Sequence, residues 1–138
     1  MPKANVFAPS VATSGATREV GAGPANSPLA QAIRFGNMLF VSGVGGVDGA
    51  TDTVVSGGVK AQCRMALQNL DAILVAAGAN HGHVVNLRLV FRHVADAPRV
   101  EAILAQWLGD ERVALLCTGS TPNRAGIDLQ IECIAMFD

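Results

Sequence analysis

The sequence contains no tyrosine and few other aromatic residues, which make up only 4% of its 138 positions. It therefore offers no stacking surface for single-stranded nucleic acids and no phenol for acid–base chemistry. An excess of positive charge is also missing, because ten Lys and Arg residues face eleven Asp and Glu residues and the formal net charge is -1. Proteins that neutralise many phosphates carry such an excess. We therefore expect no nucleic-acid partner.

Long apolar runs and paired cysteines are absent as well. No apolar stretch reaches the roughly 20 residues that span a bilayer, because Arg, Asp, Asn or Gly interrupts each run. The three cysteines, Cys63, Cys117 and Cys133, form no CxxC motif, and residues 1–12 lack the pattern of a secretory signal. These absences predict a soluble, cytoplasmic protein with reduced thiols and no membrane partner.

The chain length and composition predict one compact domain. Half of the residues are hydrophobic, which is enough for one core and leaves little for a second. Residues 1–26 are rich in Ala, Ser, Gly, Thr and Pro, a composition that cannot offset its ordering entropy unaided. We expect an N-terminal arm, flexible or docked, at 1–26 and the folded domain at 27–138.

Hydrophobic periodicity predicts an α/β protein with a mixed sheet. Apolar residues recur at three- and four-residue steps in the helices and at two-residue steps in the strands. Gly78 and Gly109 are expected to end the two helices, and Asp96 to cap the second. The predicted order is strand, strand, helix, strand, helix, strand, strand, at 31–35, 38–42, 59–77, 84–94, 97–108, 112–118 and 127–137. Both helices should then cover one face of the sheet.

The other face of that sheet is expected to be a subunit interface. On strand 84–94 we expect Val85 to share the core face with Leu87, Leu89 and Phe91. The opposite face mixes apolar and polar side chains: Val90, Ile134 and Met136 stand beside Arg88, Arg92, Gln130 and Glu132. Such a surface is too apolar for full solvation and too polar for a core. It predicts a homo-oligomer whose sheets pack face to face.

Several segments, taken in order and spacing, resemble one known family. They are Pro28-Leu29-Ala30-Gln31-Ala32, Gly36-Asn37-Met38-Leu39-Phe40-Val41-Ser42-Gly43, Gln62, Asn69-Leu70, Ala72-Ile73-Leu74, Ala76-Ala77-Gly78, Val84-Val85, Cys117 and Gln130-Ile131-Glu132-Cys133-Ile134-Ala135. Over about residues 26–136 the chain resembles the Rid/YjgF family of enamine/imine deaminases, once labelled endoribonuclease or translation inhibitor. The resemblance implies a single-domain chorismate-mutase-like fold and a homotrimer. It also implies three inter-subunit clefts in which small imines are hydrolysed to ketones and ammonia.

The family's site residues are matched only in part. Ser42 and Gly43 stand at its Ser-Gly positions, and Cys117 stands at the cysteine commonly found after its arginine. The resemblance gives Ser42 a hydrogen-bonding role and Cys117 a place in the pocket wall. Neither residue has a histidine partner in the pattern, so a serine-hydrolase triad or a catalytic thiolate is disfavoured.

Three positions depart from the family pattern. Leu115 falls where the family has the arginine that holds the substrate carboxylate, Leu29 where it has a tyrosine, and Gln130 where it has a glutamate. Loss of a bidentate charged contact in a buried site costs roughly 2–5 kcal/mol. Gln130 can orient water but cannot take a proton near neutral pH. Glu132 fits the family's second, more structural acid.

Another arginine could replace the missing anchor. Arg124 is the first candidate because it lies in the loop beside the expected cleft. Arg112 is expected on the opposite strand face, and Arg88 and Arg92 on the polar seam. Ordinary surface or interface roles for all four arginines stay open.

Two other motifs suggest metal or nucleotide sites but lack essential parts. His81-Gly82-His83 has no third ligand beside it, and the glycine-rich stretch 43–49 lacks the Gly-Lys-Ser/Thr ending of a phosphate loop. We expect no metal and no cofactor.

Two functions remain open at this point. The first is a small-molecule enzyme, a deaminase or hydrolase of an imine, enamine or related compound, with altered specificity. The second is a non-catalytic trimer that binds or senses a metabolite in the same clefts. The old ribonuclease label finds little support in the charge of the chain.

Overall fold

The computed structural model describes residues 3–11, 29–122 and 124–138. In chain order the elements are β1 (Ala4–Val6), β2 (Ala32–Phe35), β3 (Met38–Gly45), β4 (Val47–Asp48), β5 (Thr53–Val54), α1 (Gly58–Ala76), β6 (Val84–Phe91), α2 (Ala97–Leu108), β7 (Ala114–Gly119) and β8 (Leu129–Met136). Single turns of 3₁₀ helix at His81–His83 and Val94–Asp96 flank β6.

The described strands form one main sheet in the order β1-β2-β3-β8-β6-β7, and β4 pairs with β5 apart from it. Only β6 and β7 run parallel, while the other neighbours are antiparallel. The parallel pair is joined through α2, the crossover that parallel strands require. The predicted mixed α/β sheet is therefore confirmed.

Helix α1 supplies most of the helical side of the core. It packs against β3 and β8, and α2 packs against α1. Gly78 ends α1 as predicted, with φ 80°. Its N–H donates to the carbonyl of Val75 at 2.9 Å, and the N–H of Ala79 donates to the carbonyl of Leu74 at 2.7 Å. This pair of bonds is the Schellman arrangement, which a residue without a Cβ adopts at least cost.

The side of the sheet away from the helices has the mixed character that the sequence predicts. Phe40 lies in register with Ile134, and both are at least partly exposed in the protomer. Beside them Arg88 lies in register with Glu132, and the two form an ion pair between β6 and β8. This open face therefore combines apolar side chains with the charged Arg88–Glu132 pair.

The expectation for Val85 is wrong. The pairing of β6 with β8 shifts between Val84 and Asn86, and the irregularity turns Val84 into the core and leaves Val85 43% exposed. A shift of one residue moves a side chain to the other face of the strand. From Leu87 onward the predicted alternation holds.

The N-terminal arm contributes the first strand. Ala4–Val6 pairs with β2, and the side chains of Val6, Ala8 and Val11 are buried. The expected boundary of the arm at residue 26 lies outside the described residues and stays a prediction. The glycine-rich stretch 43–49 holds the end of β3 and the short β4 strand.

Candidate functional site

Ser42 and Gly43 lie at an irregularity in the pairing of β3 with β8. Val41 pairs with Cys133 and Val44 with Ile131, so two residues of β3 face one residue of β8. Such a bulge breaks the alternation of a strand and re-aims its side chains, and bulges are frequent beside active sites.

The bulge is tied to the segment that precedes β2. The hydroxyl of Ser42 donates to the carbonyl of Ala30 at 2.7 Å, and the N–H of Ser42 donates to the carbonyl of Gln31 at 2.9 Å. These bonds fix the backbone next to Leu29, whose side chain is 48% exposed. The Ser42 oxygen keeps its lone pairs for accepting further hydrogen bonds.

Gln130 lies against the same bulge. A Cβ added at Gly43 would come 2.7 Å from Nε2 of Gln130, a separation that only glycine permits without a shift. The Gln130 side chain is 8% exposed. Its strand neighbours Leu129 and Ile131 point into the helical core, so Gln130 points away from it. The structure therefore brings Ser42, Gly43 and Gln130 together.

Leu115 and Cys117 do not join this group within one protomer. They lie on β7, in register with Leu87 and Leu89, whose side chains are in the helical core. Leu116, between them, pairs with Arg88 and points to the opposite face. The candidate residues therefore divide between the two faces of the sheet.

The surroundings of the two β7 residues differ. Cys117 is partly buried and packs against the core, and burial, followed by the nearby Glu101 carboxylate, raises the pKa of its thiol. Leu115 is 52% exposed although its side chain is apolar. A thiol with a raised pKa is a poor nucleophile, whereas an exposed leucine on an edge strand offers a contact surface.

Arg124, the first candidate for a substitute anchor, is held by Asp52. Its Nη1 donates to Oδ1 of Asp52 at 2.9 Å and its Nη2 to the carbonyl of the same residue at 2.7 Å. Asp52 adopts a left-handed backbone with φ 55° and presents one carboxylate oxygen and its carbonyl oxygen to the Arg124 guanidinium. If Arg124 anchors a substrate, it therefore does so while it remains hydrogen-bonded to Asp52.

Sequence reasoning missed the residues that organise the start of β8. The side-chain oxygen of Gln62 accepts from the N–H of Asp128 at 2.7 Å, and its Nε2 donates to Oδ2 of Asp128 at 3.3 Å. Asp128 in turn pairs with Arg92, with 3.4 Å between Oδ1 and Nε. The available signal is the presence of Gln62 among the mostly apolar buried residues of α1.

The two histidines of the His81-Gly82-His83 motif make ordinary local contacts. His81 lies against Trp107 with 5.6 Å between ring centroids, and Nδ1 of His83 accepts from the N–H of Asn80 at 3.1 Å. Among the described residues, no group of three His, Cys, Asp or Glu side chains is arranged to hold a metal ion. In the same part of the chain, no helix combines the length and apolar character needed to cross a membrane.

Comparison with known proteins matches the chain to one family. The family model described as Endoribonuclease L-PSP matches residues 21–137. A RutC family protein of Pyrococcus horikoshii is 31% identical over 108 residues, which cover 78% of this chain and 86% of the relative. Reactive Intermediate Deaminase A, chloroplastic, of Arabidopsis thaliana is 32% identical over 130 residues, covering 91% and 70%. The human 2-iminobutanoate/2-iminopropanoate deaminase is 29% identical over 109 residues, covering 79% and 80%.

Solved structures agree on the fold. E. coli TdcF with bound serine has a TM-score of 0.81 at 23% identity, covering 98% of this chain and 99% of that one. Yeast Mmf1 has a TM-score of 0.84 at 18% identity, covering 99% and 100%. At these identities the likeness concerns the fold alone.

Proposed function

The chain belongs to the Rid/YjgF family, whose family model bears the description Endoribonuclease L-PSP, and on that premise we propose that it is a RidA-like enzyme. Its reaction is the hydrolysis of a small imine, enamine or related compound to a carbonyl compound and ammonia. The names of the Arabidopsis and human relatives support this reaction class. A cytoplasmic location with reduced thiols belongs to the same proposal.

The observation that carries the proposal is the division of the candidate residues between two faces of the sheet. Gln130 and Gly43 lie on the open side, while Leu115 and Cys117 lie on β7 toward the helical side. One protomer therefore holds two half-sites: Gly43 with Gln130, and Leu115 with Cys117. A homotrimer in which the β7 edge of one subunit approaches the bulge of its neighbour would join them in an inter-subunit cleft.

The open face supports such an assembly. Phe40, Leu116 and Met136 are exposed apolar side chains on this side, and the Arg88–Glu132 pair lies among them. A surface with an apolar majority and a paired polar seam is suited to association between copies of a chain. Packing these faces together would remove the exposed apolar area from water.

The replaced residues define an altered substrate. Leu115 is apolar and half exposed, so it can contact a hydrocarbon group but cannot pair with a carboxylate. The substrate is therefore an imine without an acid group at the position that Leu115 contacts. Leu29, exposed next to the bulge, adds a second apolar contact in place of a phenol.

Gln130 would orient the attacking water through its amide. The water oxygen bonds to the imine carbon, and one water proton passes to the nitrogen of the substrate. Transfer of the remaining hydroxyl proton to this nitrogen, directly or through solvent, lets the C–N bond break, so that ammonia leaves as the carbonyl forms. The substrate nitrogen must accept both protons, because the Gln130 amide takes none near neutral pH.

The test is ammonia release by purified protein from a panel of charged and uncharged imines generated in situ. We expect acceleration for uncharged imines and little for imines of α-amino acids. The Leu115→Arg variant should reverse that preference, and Leu115→Met serves as the size-matched control without charge. No acceleration over the spontaneous rate by the wild-type protein, on any member of the panel, would refute an enzymatic function.

A non-catalytic trimer that binds or senses a metabolite is the second candidate. The observation in its favour is the amide at Gln130, which removes the general base that the family places there. A small molecule retained through purification, released on denaturation and never turned over would support it. Gain of hydrolysis by Gln130→Glu would show that only the base is missing.

A further inference from the structure

A cavity lies where β6 and β7 end, away from the candidate site residues Ser42, Gly43 and Gln130. Its volume is about 650 Å³, and its described lining includes the guanidinium-bearing residues Arg92 and Arg124 and the hydroxyl-bearing residues Ser120 and Thr121. No acidic residue belongs to the described lining. The wall therefore presents hydrogen-bond donors and positive groups.

The carboxylates that neutralise the two arginines are excluded from this wall. Asp128 contacts Nε of Arg92 at 3.4 Å, and the carbonyl of Ile127 accepts from Nη2 of Arg92 at 3.3 Å. Asp52 holds Arg124 as described above. Each guanidinium is thus fixed by an oxygen partner that does not itself line the cavity, which lowers the entropy lost when a ligand is bound.

The backbone around the cavity is fixed as well. The N–H of Arg92 donates to the carbonyl of Asp128 at 2.9 Å, and the N–H of Ser120 donates to the carbonyl of Phe91 at 2.9 Å. The connection between β7 and β8 is thereby attached to the end of β6 at both of its ends, at Ser120 and at Asp128. The positions of Arg92 and Ser120 follow from the sheet and not from the loops alone.

From this arrangement we propose that the cavity binds a small oxyanion, a carboxylate or phosphate group, with Arg92 as its principal charged contact. Guanidinium groups bind both anions through paired N–H donors. Arg92 is the better-placed donor because its ion pair is longer than that of Arg124 and its side chain is more exposed, at 43% against 27%. The paired acids reduce the net charge, so the binding is expected to be weak.

This site lies apart from the position where the family pattern places its anchor. Gly119 is two residues beyond Cys117 and four beyond Leu115 on β7, which corresponds to about 7 and 13 Å along a strand. The inference concerns binding and does not require that any imine is hydrolysed. Failure of this titration is therefore distinguishable from an absence of ammonia release.

The test is titration of the full-length protein at low ionic strength with inorganic phosphate and, separately, with acetate, followed by amide chemical shifts. We expect saturable shifts for at least one ion, centred on Ser120 and Thr121. The Arg92→Gln variant should weaken binding at least about tenfold. The exposed helix residue Arg64 supplies the matched control, and Arg64→Gln should leave binding unchanged.

A comparison of the two titrations identifies the preferred oxyanion. The Thr121→Ala variant, which leaves both ion pairs intact, provides a second readout if Arg92→Gln does not fold, and should also weaken binding. Absence of saturable shifts with both ions would overturn the proposal. Equal weakening by Arg92→Gln and Arg64→Gln would do the same, because it would indicate a general charge effect.

Discussion

Gln31 holds Ala8 by both ends of its side-chain amide. Its oxygen accepts from the N–H of Ala8 at 2.7 Å, and its Nε2 donates to the carbonyl of Ala8 at 3.3 Å and to the carbonyl of Val11 at 2.8 Å. The side chain thus replaces a missing strand partner for the N-terminal segment. Because Gln31 is only 5% exposed, these backbone groups have little access to water as a substitute.

We predict that Gln31→Leu destabilises the protein by about 2–4 kcal/mol, because it leaves buried backbone groups of Ala8 and Val11 unsatisfied. The free energy of unfolding in urea measures the loss, and faster hydrogen exchange at the Ala8 amide locates it. The control is Gln106→Leu on the exposed side of α2, which should change stability by less than about 0.5 kcal/mol. Equal effects of the two variants would contradict a role for Gln31 in holding the arm.

The ion pair between Arg88 and Glu132 predicts a charge-dependent assembly. If the open faces pack together, this pair becomes buried, and breaking it costs about 3–5 kcal/mol. Arg88→Glu should therefore shift the sedimentation of the protein from trimer to protomer. The double variant Arg88→Glu/Glu132→Arg should recover part of the assembly, since it restores opposite charges in register.

A charge change away from the sheet supplies the control for assembly. Arg64 is exposed on α1, and Arg64→Glu should leave the sedimentation unchanged. A wild-type protein that sediments as a single protomer at all concentrations would disprove the face-to-face interface. Such a result would also remove the basis for an inter-subunit cleft in which the two half-sites meet.

Asp71 predicts a measurable pH dependence of stability. Its Oδ1 accepts from Nε1 of Trp107 at 3.0 Å, and burial raises the pKa of the carboxyl, although the bond from Trp107 and the charge of His81 oppose this. A raised pKa means that the folded state binds more protons than the unfolded state between the two pKa values. The contribution of Asp71 to stability therefore falls as the pH rises through its folded pKa.

The Asp71→Asn variant separates the charge from the hydrogen bond. It keeps an oxygen acceptor for Trp107, so we expect equal or higher stability at neutral pH and a shrinking advantage at mildly acidic pH. Asp71→Leu removes the acceptor and should cost about 1–2 kcal/mol. Fluorescence of the single tryptophan follows unfolding in each case, and a stability of Asp71→Asn below that of Asp71→Leu would contradict this reasoning.

The three thiols should differ in reactivity and none should be catalytic. Burial raises the pKa of Cys63 to about 11, and burial together with Glu132 raises that of Cys133 to about 12. Cys117 is less buried, so alkylation at about pH 8 should label it first, more slowly than an unperturbed thiol. Cys117→Ala should retain the proposed ammonia-releasing activity, and loss of that activity from a folded variant would restore the thiolate as a candidate.

The helical core could be predicted because its signal is local and repeated. Val59, Cys63, Leu67, Leu70 and Leu74 follow one helical stripe, and all five are buried. Such periodicity depends only on the geometry of the helix. The order of elements then restricts the sheet to few topologies, which is why the mixed sheet could be predicted with its helices on one face.

The first strand and the ion pairs could not be predicted because their causes are distant in sequence. Ala4–Val6 is too short to show a period and is held by pairing with Ala32–Arg34. The segment that follows it is held by bonds from Gln31 to Ala8 and Val11, which are 23 and 20 positions away. Asp52 and Arg124 are 72 positions apart, so neither indicates the other. Val85 was placed on the wrong face because a pairing shift leaves no mark in the residue pattern.

Gly43 and Gln130 predict a steric coupling at the candidate site. A methyl group at position 43 would lie 2.7 Å from Nε2 and 3.1 Å from Cδ of Gln130, so Gly43→Ala must displace this amide or spread β3 from β8. We expect Gly43→Ala to destabilise the fold by about 1–3 kcal/mol and to abolish most of the proposed imine hydrolysis, because the amide proposed to orient the water has moved.

A second substitution distinguishes displacement of Gln130 from general damage to β3. In the double variant Gly43→Ala/Gln130→Ala the clash is relieved, so its free energy of unfolding in urea should equal or exceed that of Gly43→Ala, whereas additive losses would indicate independent sites. Activity should not return in the double variant, since the amide itself is gone. A Gly43→Ala protein with wild-type activity would show that Gln130 does not orient the attacking water.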